Sequence, residues 1–285
     1  MPIDGIPLID VHVHAARTAG LKLNWDRWIA ARRTDGSPRE LYDGEGTIVP
    51  ERFHAMLERE GVDLALLMAE YSPRVTGIQP AEDMVPLSNH DPARVRFIAN
   101  VNPLYHFPVV EELERQLGMG AVALKIHPVH GAFPPNTAEL YPAYGVCQER
   151  GIPVVFHCGT SNFPGAVNRF GDPVLVEDVA KDFPRLRIVL AHGGRGWWYD
   201  AAAFMALMRE FVYVDIAGLP PQKLPEYYRS FDFERLAARF VFGSDWPGAP
   251  GIRSNAEAVR GLGLSRGTLE RVFHRNAEEV YGLRA

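Results

Sequence analysis

The stretch that decides the fold runs from Ile152-Pro-Val-Val-Phe156 to Leu186-Arg-Ile-Val-Leu-Ala191. These two short apolar runs enclose an amphipathic segment, Pro173–Phe183, whose pattern is typical of a helix. The runs are rich in Val, Ile, Leu and Phe without polar alternation, as expected of parallel strands that are buried on both faces. The stretch therefore predicts a strand–helix–strand unit.

The same rhythm repeats along the chain and predicts eight strands with helices between them. The apolar runs are Pro7–Val13, Val62–Met68, Val95–Val101, Ala121–Ile126, Ile152–Phe156, Leu186–Ala191, Val212–Ile216 and Phe240–Phe242. Further helical patterns occupy Glu51–Glu60, Val109–Leu117, Leu140–Arg150 and Asp200–Phe211. Eight strand–helix units predict a closed (β/α)8 TIM barrel of the α/β class, with an open doubly wound sheet as the alternative.

One long irregular segment interrupts this rhythm after the first strand, from Arg17 to about Thr47. It contains Trp25, Trp28 and Arg32. A loop of this length usually serves as a lid or a binding loop, and a partly helical surface insertion is the alternative. No change in composition divides the chain, so we expect one domain over residues 1–285.

The composition excludes several classes of protein. Of the 285 residues, 47% are apolar and 23% are charged, which excludes wholesale disorder. The net charge of −5 disfavours a nucleic-acid binder or a protein of anionic membranes. Only Cys147 and Cys158 are present, so no disulfide scaffold is expected. Secretory and membrane-spanning patterns are absent, and we therefore expect a cytoplasmic protein.

Several of the ten histidines end predicted strands. The first strand closes with His12-Val-His14, and the side-chain period of two turns both imidazoles to one face. His157 and His192 end the fifth and sixth runs, and Asp245 follows the eighth. Barrel enzymes carry their catalytic groups at the carboxyl ends of the strands. We expect these five side chains to share one site.

Imidazoles and a carboxylate together suit Zn²⁺, Mn²⁺, Fe²⁺ or Co²⁺ better than Ca²⁺ or Mg²⁺. We expect Zn²⁺ first, because two imidazoles that converge at a strand end are typical zinc ligands. The alternative is a set of polar side chains that satisfy one another through hydrogen bonds, since burial without partners would be costly.

Four motifs carry a resemblance to a known family. They are Ala123-Leu-Lys-Ile-His-Pro128, Ala191-His-Gly-Gly194, Phe242-Gly-Ser-Asp-Trp-Pro247 and Asn276-Ala-Glu-Glu-Val-Tyr-Gly-Leu283. With the strand-end histidines, they resemble the amidohydrolase superfamily, in particular its amidohydrolase-2 branch of aminocarboxymuconate-semialdehyde decarboxylase-like enzymes. The resemblance covers nearly the whole chain and implies a distorted TIM barrel.

The resemblance also implies roles for the strand-end residues. His12, His14, His157 and Asp245 would bind one divalent metal, with a water molecule in the remaining position. His192 would orient or deprotonate that water, and Asp245 would also accept a proton.

A binuclear site is the alternative. In some amidohydrolases a carboxylated lysine on the fourth strand bridges two metals, and the strand-five and strand-six histidines bind the second. Here those residues would be Lys125, His157 and His192.

Other side chains near the strand ends are candidates for binding a substrate. Lys125 and His127 lie two residues apart on the fourth strand, so both should face the barrel interior. Arg169 and Arg195 could bind a carboxylate through two hydrogen bonds, and Trp246 could form a pocket wall. His130 is expected at the rim.

The resemblance leaves the reaction open. We expect a hydrolase in which a metal-bound water attacks the carbonyl of a small carboxylated lactone, amide or ester. The alternative is a non-oxidative decarboxylase of an aromatic or unsaturated carboxylic acid. A barrel that only binds metal is a third possibility, although a structural site would not need an additional histidine. The partner is thus a small molecule, and a homodimer is the default expectation.

Overall fold

Eight parallel strands form the barrel in the computed structural model, which describes residues 3–21, 38–248 and 251–283. In chain order the strands are β1 (Ile9–Val13), β2 (Leu64–Met68), β3 (Glu70–Ser72), β4 (Gly77–Gln79), β5 (Val95–Asn100), β6 (Leu124–Ile126), β7 (Val154–Gly159), β8 (Ile188–Arg195), β9 (Val212–Asp215) and β10 (Phe240–Val241). The barrel order is β1-β2-β5-β6-β7-β8-β9-β10. Each of the eight predicted runs overlaps one barrel strand, so the TIM-barrel prediction is confirmed.

Helices alternate with the strands. They are α1 (Pro50–Glu60), α2 (Val85–His90), α3 (Val109–Gly118), α4 (Pro128–Gly131), α5 (Tyr141–Arg150), α6 (Val174–Asp182), α7 (Tyr199–Met208), α8 (Leu224–Tyr227), α9 (Phe233–Ala237), α10 (Ile252–Arg260), α11 (Arg266–Glu270) and α12 (Asn276–Tyr281). A π-helical turn, Arg271–Arg275, joins α11 to α12. Within the described residues, no helix has the length and apolarity that crossing a membrane requires.

The barrel closes between its last and first strands through backbone hydrogen bonds. The Val11 amide donates to the Phe242 carbonyl at 3.0 Å, and the His14 amide donates to the Trp246 carbonyl at 2.8 Å. The Asp245 amide donates to the His12 carbonyl at 3.0 Å. These bonds fix the ends of β1 and β10 side by side, which brings the segment after β10 to the histidines of β1.

Two apolar layers surround the strands. The inner layer fills the barrel with side chains such as Leu66, Val155 and Val189, and it continues onto Val280 and Tyr281 of α12. The outer layer lies between the strands and the helices. Because α12 packs against this inner layer, the interior is a packed core and the polar site is confined to the carboxyl ends of the strands.

The structure contains one element that the sequence does not predict, and it describes only part of the insertion after β1. A short antiparallel hairpin, β3–β4, follows β2. The insertion after β1 is described at residues 17–21 and 38–47, where Leu21 forms a bridge with Gly77 and Tyr42 forms one with Ile48. Its candidate residues, Trp25, Trp28 and Arg32, lie outside the described residues.

Candidate active site

A cavity of about 260 Å³ opens at the carboxyl ends of the strands. Most of the described side chains on its wall carry a polar group, and six of them are imidazoles. The described lining residues are His12, His14, Glu70, Lys125, His127, His130, His157, Thr160, Ser161, Asn162, Phe163, His192, Arg195, Gly218 and Asp245. All five predicted strand-end residues therefore lie on the wall of one cavity.

The first strand and the segment after β10 supply three converging donors. Nε2 of His14 lies 3.4 Å from Oδ1 of Asp245, and Nε2 of His12 lies 3.7 Å from the same oxygen. One possible ligand atom from each residue lies within 4.8 Å of the other two. All three residues are buried. Such a group is arranged around one point, which is what a shared cation requires.

A buried carboxylate that the sequence analysis missed orients His12. Nδ1 of His12 lies 2.5 Å from Oδ2 of Asp215, the last residue of β9. Donation of the Nδ1 hydrogen to this carboxylate leaves the Nε2 lone pair directed at the cavity. Gly243 permits the contact, because a Cβ there would lie 2.3 Å from Oδ1 of Asp215 and 2.8 Å from Cβ of His12.

His157 of β7 is buried, and neither of its ring nitrogens has a hydrogen-bond partner among the described residues. Its ring stacks on His127 at 4.1 Å and lies 4.5 Å from the ring of His192. Burial, and then the electrostatic influence of the neighbouring His192 and Arg195, hold the pKa of His157 well below its usual value. A neutral imidazole with an unused lone pair is available to a cation.

His192 has a backbone conformation that the strand pattern does not predict. Its neighbour Ala191 packs in the barrel interior, so regular alternation would turn His192 away from the cavity. Its φ of 66° directs the ring into the cavity. Nδ1 lies 2.8 Å from the Ala217 carbonyl and donates to it, which leaves the lone pair on Nε2. Burial and then the charge of Arg195 keep the pKa of His192 well below its usual value.

Asp245 also has a left-handed backbone, with a φ of 64°. Burial opposes its ionisation, but the hydrogen bond with His14 and the charges of His12, His14 and Arg195 lower the pKa of this carboxyl from its usual value. Oδ1 faces the two histidines of β1, whereas Oδ2 lies 3.9 Å from Nη1 of Arg195. Gly218 leaves room for that pair, because a Cβ there would lie 2.5 Å from Oδ2.

The donor set fits a divalent cation. His12, His14 and Asp245 converge, Asp215 fixes the His12 tautomer, and the buried nitrogens of His157 need a partner. A buried polar atom without a hydrogen bond costs on the order of 1–3 kcal/mol, and a bound cation would remove this cost for the nitrogen of His157 that carries the lone pair.

Two of the predicted substrate residues face the cavity from β6 and its end. Lys125 is buried, and its Nζ has no hydrogen-bond partner among the described residues. Burial lowers the pKa of Lys125 to about 8, although Asp215 and Asp245 oppose the shift. His127 stacks between His130 and His157, and its Nδ1 accepts a hydrogen bond from the His130 amide at 3.2 Å.

Arg195 lies on the cavity wall, but much of its fork is engaged. Its Nε and Nη2 donate to the Thr160 carbonyl at 3.1 and 3.0 Å. The Nε–Nη2 edge of the guanidinium is therefore occupied, and a substrate carboxylate could not take both hydrogen bonds from that edge.

The other two predicted substrate residues lie away from the described cavity wall. Arg169 is exposed, and its guanidinium lies 4.7 Å from the ring centre of Phe170. Trp246 is buried in the outer apolar layer, with its ring 5.9 Å from that of Phe53. Their positions give no support to a direct contact with substrate.

A second polar group was missed on the opposite wall. The expectation that His130 lies at the rim is wrong. The residue is buried, and its Nδ1 lies 2.9 Å from Oε1 of Glu70. Its Nε2 lies 2.9 Å from Oγ of Ser161. Burial opposes ionisation of Glu70, yet the hydrogen bond and charge of His130 lower its pKa to about 2. Glu70 follows β2 by two residues, so its place at a strand end is a signal that could have found it.

Comparison with solved structures finds the same barrel in several proteins. An uncharacterised TIM-barrel protein from Bordetella bronchiseptica matches with a TM-score of 0.78 at 19% identity, over 97% of this chain and 99% of that one. A 5-carboxyvanillate decarboxylase from Novosphingobium aromaticivorans, complexed with manganese and a nitrobenzoic acid, matches with 0.69 at 16%, over 98% and 97%. A probable 2-pyrone-4,6-dicarboxylic acid hydrolase from Acinetobacter baumannii, with citric acid bound, matches with 0.65 at 15%, over 98% and 100%.

Comparison with sequence families gives the family of the chain, while comparison with curated proteins finds no match. The sequence model of an amidohydrolase family matches residues 9–283, from the first residue of β1 to beyond the end of α12. The match thus includes every strand of the barrel and every residue of the described cavity wall, and the chain belongs to this amidohydrolase family.

Proposed function

We propose that the protein is a metal-dependent hydrolase that acts on a small carboxylated lactone, amide or ester. The observation that carries this proposal is the set of hydrogen-bonding and charged side chains on the cavity wall. Its described wall holds six imidazoles, Lys125 and Arg195, but one aromatic carbocycle, the ring of Phe163. Many hydrogen-bonding and charged side chains around one small cavity suit a small, oxygen-rich substrate, whereas a benzoate ring would be expected to pack against more aliphatic or carbocyclic side chains.

We propose one divalent metal, held by His12, His14, His157 and Asp245. Zn²⁺ is the first choice because imidazole nitrogens dominate the set, with Mn²⁺, Fe²⁺ and Co²⁺ as alternatives. When bound, such a cation supplies Lewis acidity, which polarises a carbonyl group and makes a water molecule easier to ionise. The less favoured alternative is a binuclear site. In that site a carboxylated Lys125 would bridge two ions, and His157 and His192 would bind the second.

The protein's own groups divide the remaining work. Nε2 of His192 carries a lone pair and can take a proton from water, because its Nδ1 hydrogen is held by the Ala217 carbonyl. Asp245 would hold the metal through Oδ1, which faces His12 and His14, and Oδ2 would accept the second proton that the attacking water gives up. The proton on His192 can then pass to the leaving oxygen or nitrogen.

Lys125 is the better anchor for a substrate carboxylate. Its Nζ lies in a buried position on the wall and has no partner among the described residues, whereas Arg195 already donates to Thr160. A carboxylate would satisfy the ammonium group and place the reacting carbonyl near His192. His127 can line the same end of the substrate.

Decarboxylation of an aromatic or unsaturated acid is the second candidate. Its support is the decarboxylase that shares the barrel over nearly its full length and holds a benzoic acid with manganese. The same cavity groups would serve, with a proton delivered to the ring or chain carbon that loses carbon dioxide.

We also propose a single domain over residues 1–285, a cytoplasmic location and, by default for symmetric enzymes, a homodimer.

Metal content tests the ligand assignment. Protein purified without chelators should contain about one divalent metal per chain, and His12→Ala or Asp245→Asn should remove most of it. Asp215→Asn should weaken metal affinity by roughly 10- to 100-fold, because it removes the charge that orients His12. Elemental analysis and competition with a chelator measure both effects. The control is Asp178→Asn, at an exposed residue of α6, which should bind metal like the wild type. Full metal content in His12→Ala would contradict the assignment.

Replacement of His192 separates binding from turnover. His192→Asn should retain the metal and lower kcat by roughly 10²- to 10⁴-fold, because it removes the base but none of the four ligands. Steady-state kinetics and elemental analysis of the same preparation measure the two quantities. Loss of metal together with activity would instead favour the binuclear site.

A substrate panel decides between the two reactions. Carboxylated lactones, amides and esters should be turned over with release of acid, whereas hydroxybenzoates should not release carbon dioxide. Acid release is followed with an indicator and carbon dioxide with a coupled assay. Carbon dioxide release from hydroxybenzoates without turnover of any lactone, amide or ester would overturn the hydrolase and support the decarboxylase.

A further inference from the structure

A chain of three hydrogen-bonded side chains crosses the cavity wall opposite Asp245. Oε1 of Glu70 lies 2.9 Å from Nδ1 of His130, and Nε2 of His130 lies 2.9 Å from Oγ of Ser161. Thr76 donates its hydroxyl hydrogen to the same oxygen of Glu70 at 2.5 Å. All four side chains are buried, and Glu70, His130 and Ser161 line the cavity.

The order of these groups fixes the direction of each hydrogen bond. Glu70 can only accept while it is ionised, so the Nδ1 hydrogen of His130 points at it and the lone pair lies on Nε2. Oγ of Ser161 accepts a weak hydrogen bond from the Phe163 amide at 3.3 Å. Its own hydrogen is therefore directed at His130. A hydroxyl, an imidazole and a carboxylate in this order form a nucleophile, a base and a group that orients the base.

The loop after β7 holds the serine in place. The Ser161 amide donates to Oδ1 of Asn168 at 2.8 Å, and the side chain lies at the cavity wall with 8% of its surface exposed. A substrate in the cavity can therefore reach the hydroxyl while the loop keeps it against His130.

A second cation site is the competing explanation for these residues. Glu70, His127 and His130 each offer a ligand atom within 4.8 Å of the other two. However, both ring nitrogens of His130 are already engaged, and its amide donates to Nδ1 of His127. A cation there would have to break the pair with Glu70 or the bond to Ser161, so the hydrogen bonds favour the proton-transfer arrangement.

We propose that Ser161 is a nucleophile, activated by His130 and Glu70, that can accept an acyl or phosphonyl group from a small ester-like electrophile. Oγ forms a bond to the carbonyl carbon or phosphorus while its hydrogen passes to Nε2 of His130. The bond to the leaving group breaks, and an alkoxide leaving group takes that proton from His130. Water can later attack the acyl group while His130 takes its proton; the carboxylic acid then leaves and His130 returns the proton to Oγ, whereas a phosphonyl group remains attached.

This inference does not depend on the proposed metal chemistry, and the test keeps the two apart. Metal-free and metal-loaded protein are each treated with a small alkyl fluorophosphonate, which loses fluoride when a serine attacks phosphorus. Intact mass and peptide mapping should show one adduct, located at Ser161, in both preparations. Ser161→Ala should remove the adduct, and Glu70→Gln should slow labelling by about 100-fold or more, because the base loses its orienting charge.

Matched controls distinguish a reactive serine from a damaged fold. Ser254→Ala, on the exposed side of α10, should be labelled like the wild type, and circular dichroism should show that each variant is folded. An adduct at another residue, or no adduct in the wild type, would overturn the proposal without bearing on metal content. Labelling of Glu70→Gln at the wild-type rate would show that Ser161 reacts without help from Glu70, and it would also overturn the proposal.

Discussion

The site depends on the burial of many imidazoles at one end of the barrel. Closure between β10 and β1 forces the strand ends together, so side chains far apart in sequence share one desolvated space. Burial disfavours charge on the rings of His157 and His192 and holds their pKa values well below the usual value. A neutral imidazole has a nitrogen with a lone pair, and burying that nitrogen without a hydrogen bond to accept raises the free energy of the folded protein. The converging donors are therefore best satisfied by a cation.

Buried carboxylates orient several of these imidazoles towards the cavity. Asp215 accepts the Nδ1 hydrogen of His12 and so turns Nε2 to the cavity, where Oδ1 of Asp245 lies 3.7 Å from it. Across the cavity, Glu70 performs the corresponding task for His130. In each case, a buried carboxylate fixes a tautomer, and the tautomer decides what the imidazole can bind or which proton it can accept.

Much of the fold and part of the site follow from local pattern. Unbroken apolar runs predict the strands, and alternation predicts that Lys125 and His127 share the interior face. The same rule does not predict the direction of His192, whose positive φ interrupts the alternation after Ala191. Nor can it predict the pairing of Glu70 with His130, because sixty positions separate them and only the closed barrel brings them together.

The central claim is that one cation binds where β1, β7 and the segment after β10 meet. Crystals of protein grown with Zn²⁺ or Mn²⁺ and measured near the absorption edge of that metal test it most directly. The account predicts one anomalous peak, at about 2.0–2.3 Å from nitrogens of His12, His14 and His157 and from an oxygen of Asp245. A peak bound elsewhere, two peaks bridged by a modified Lys125, or no peak at full metal loading would contradict it.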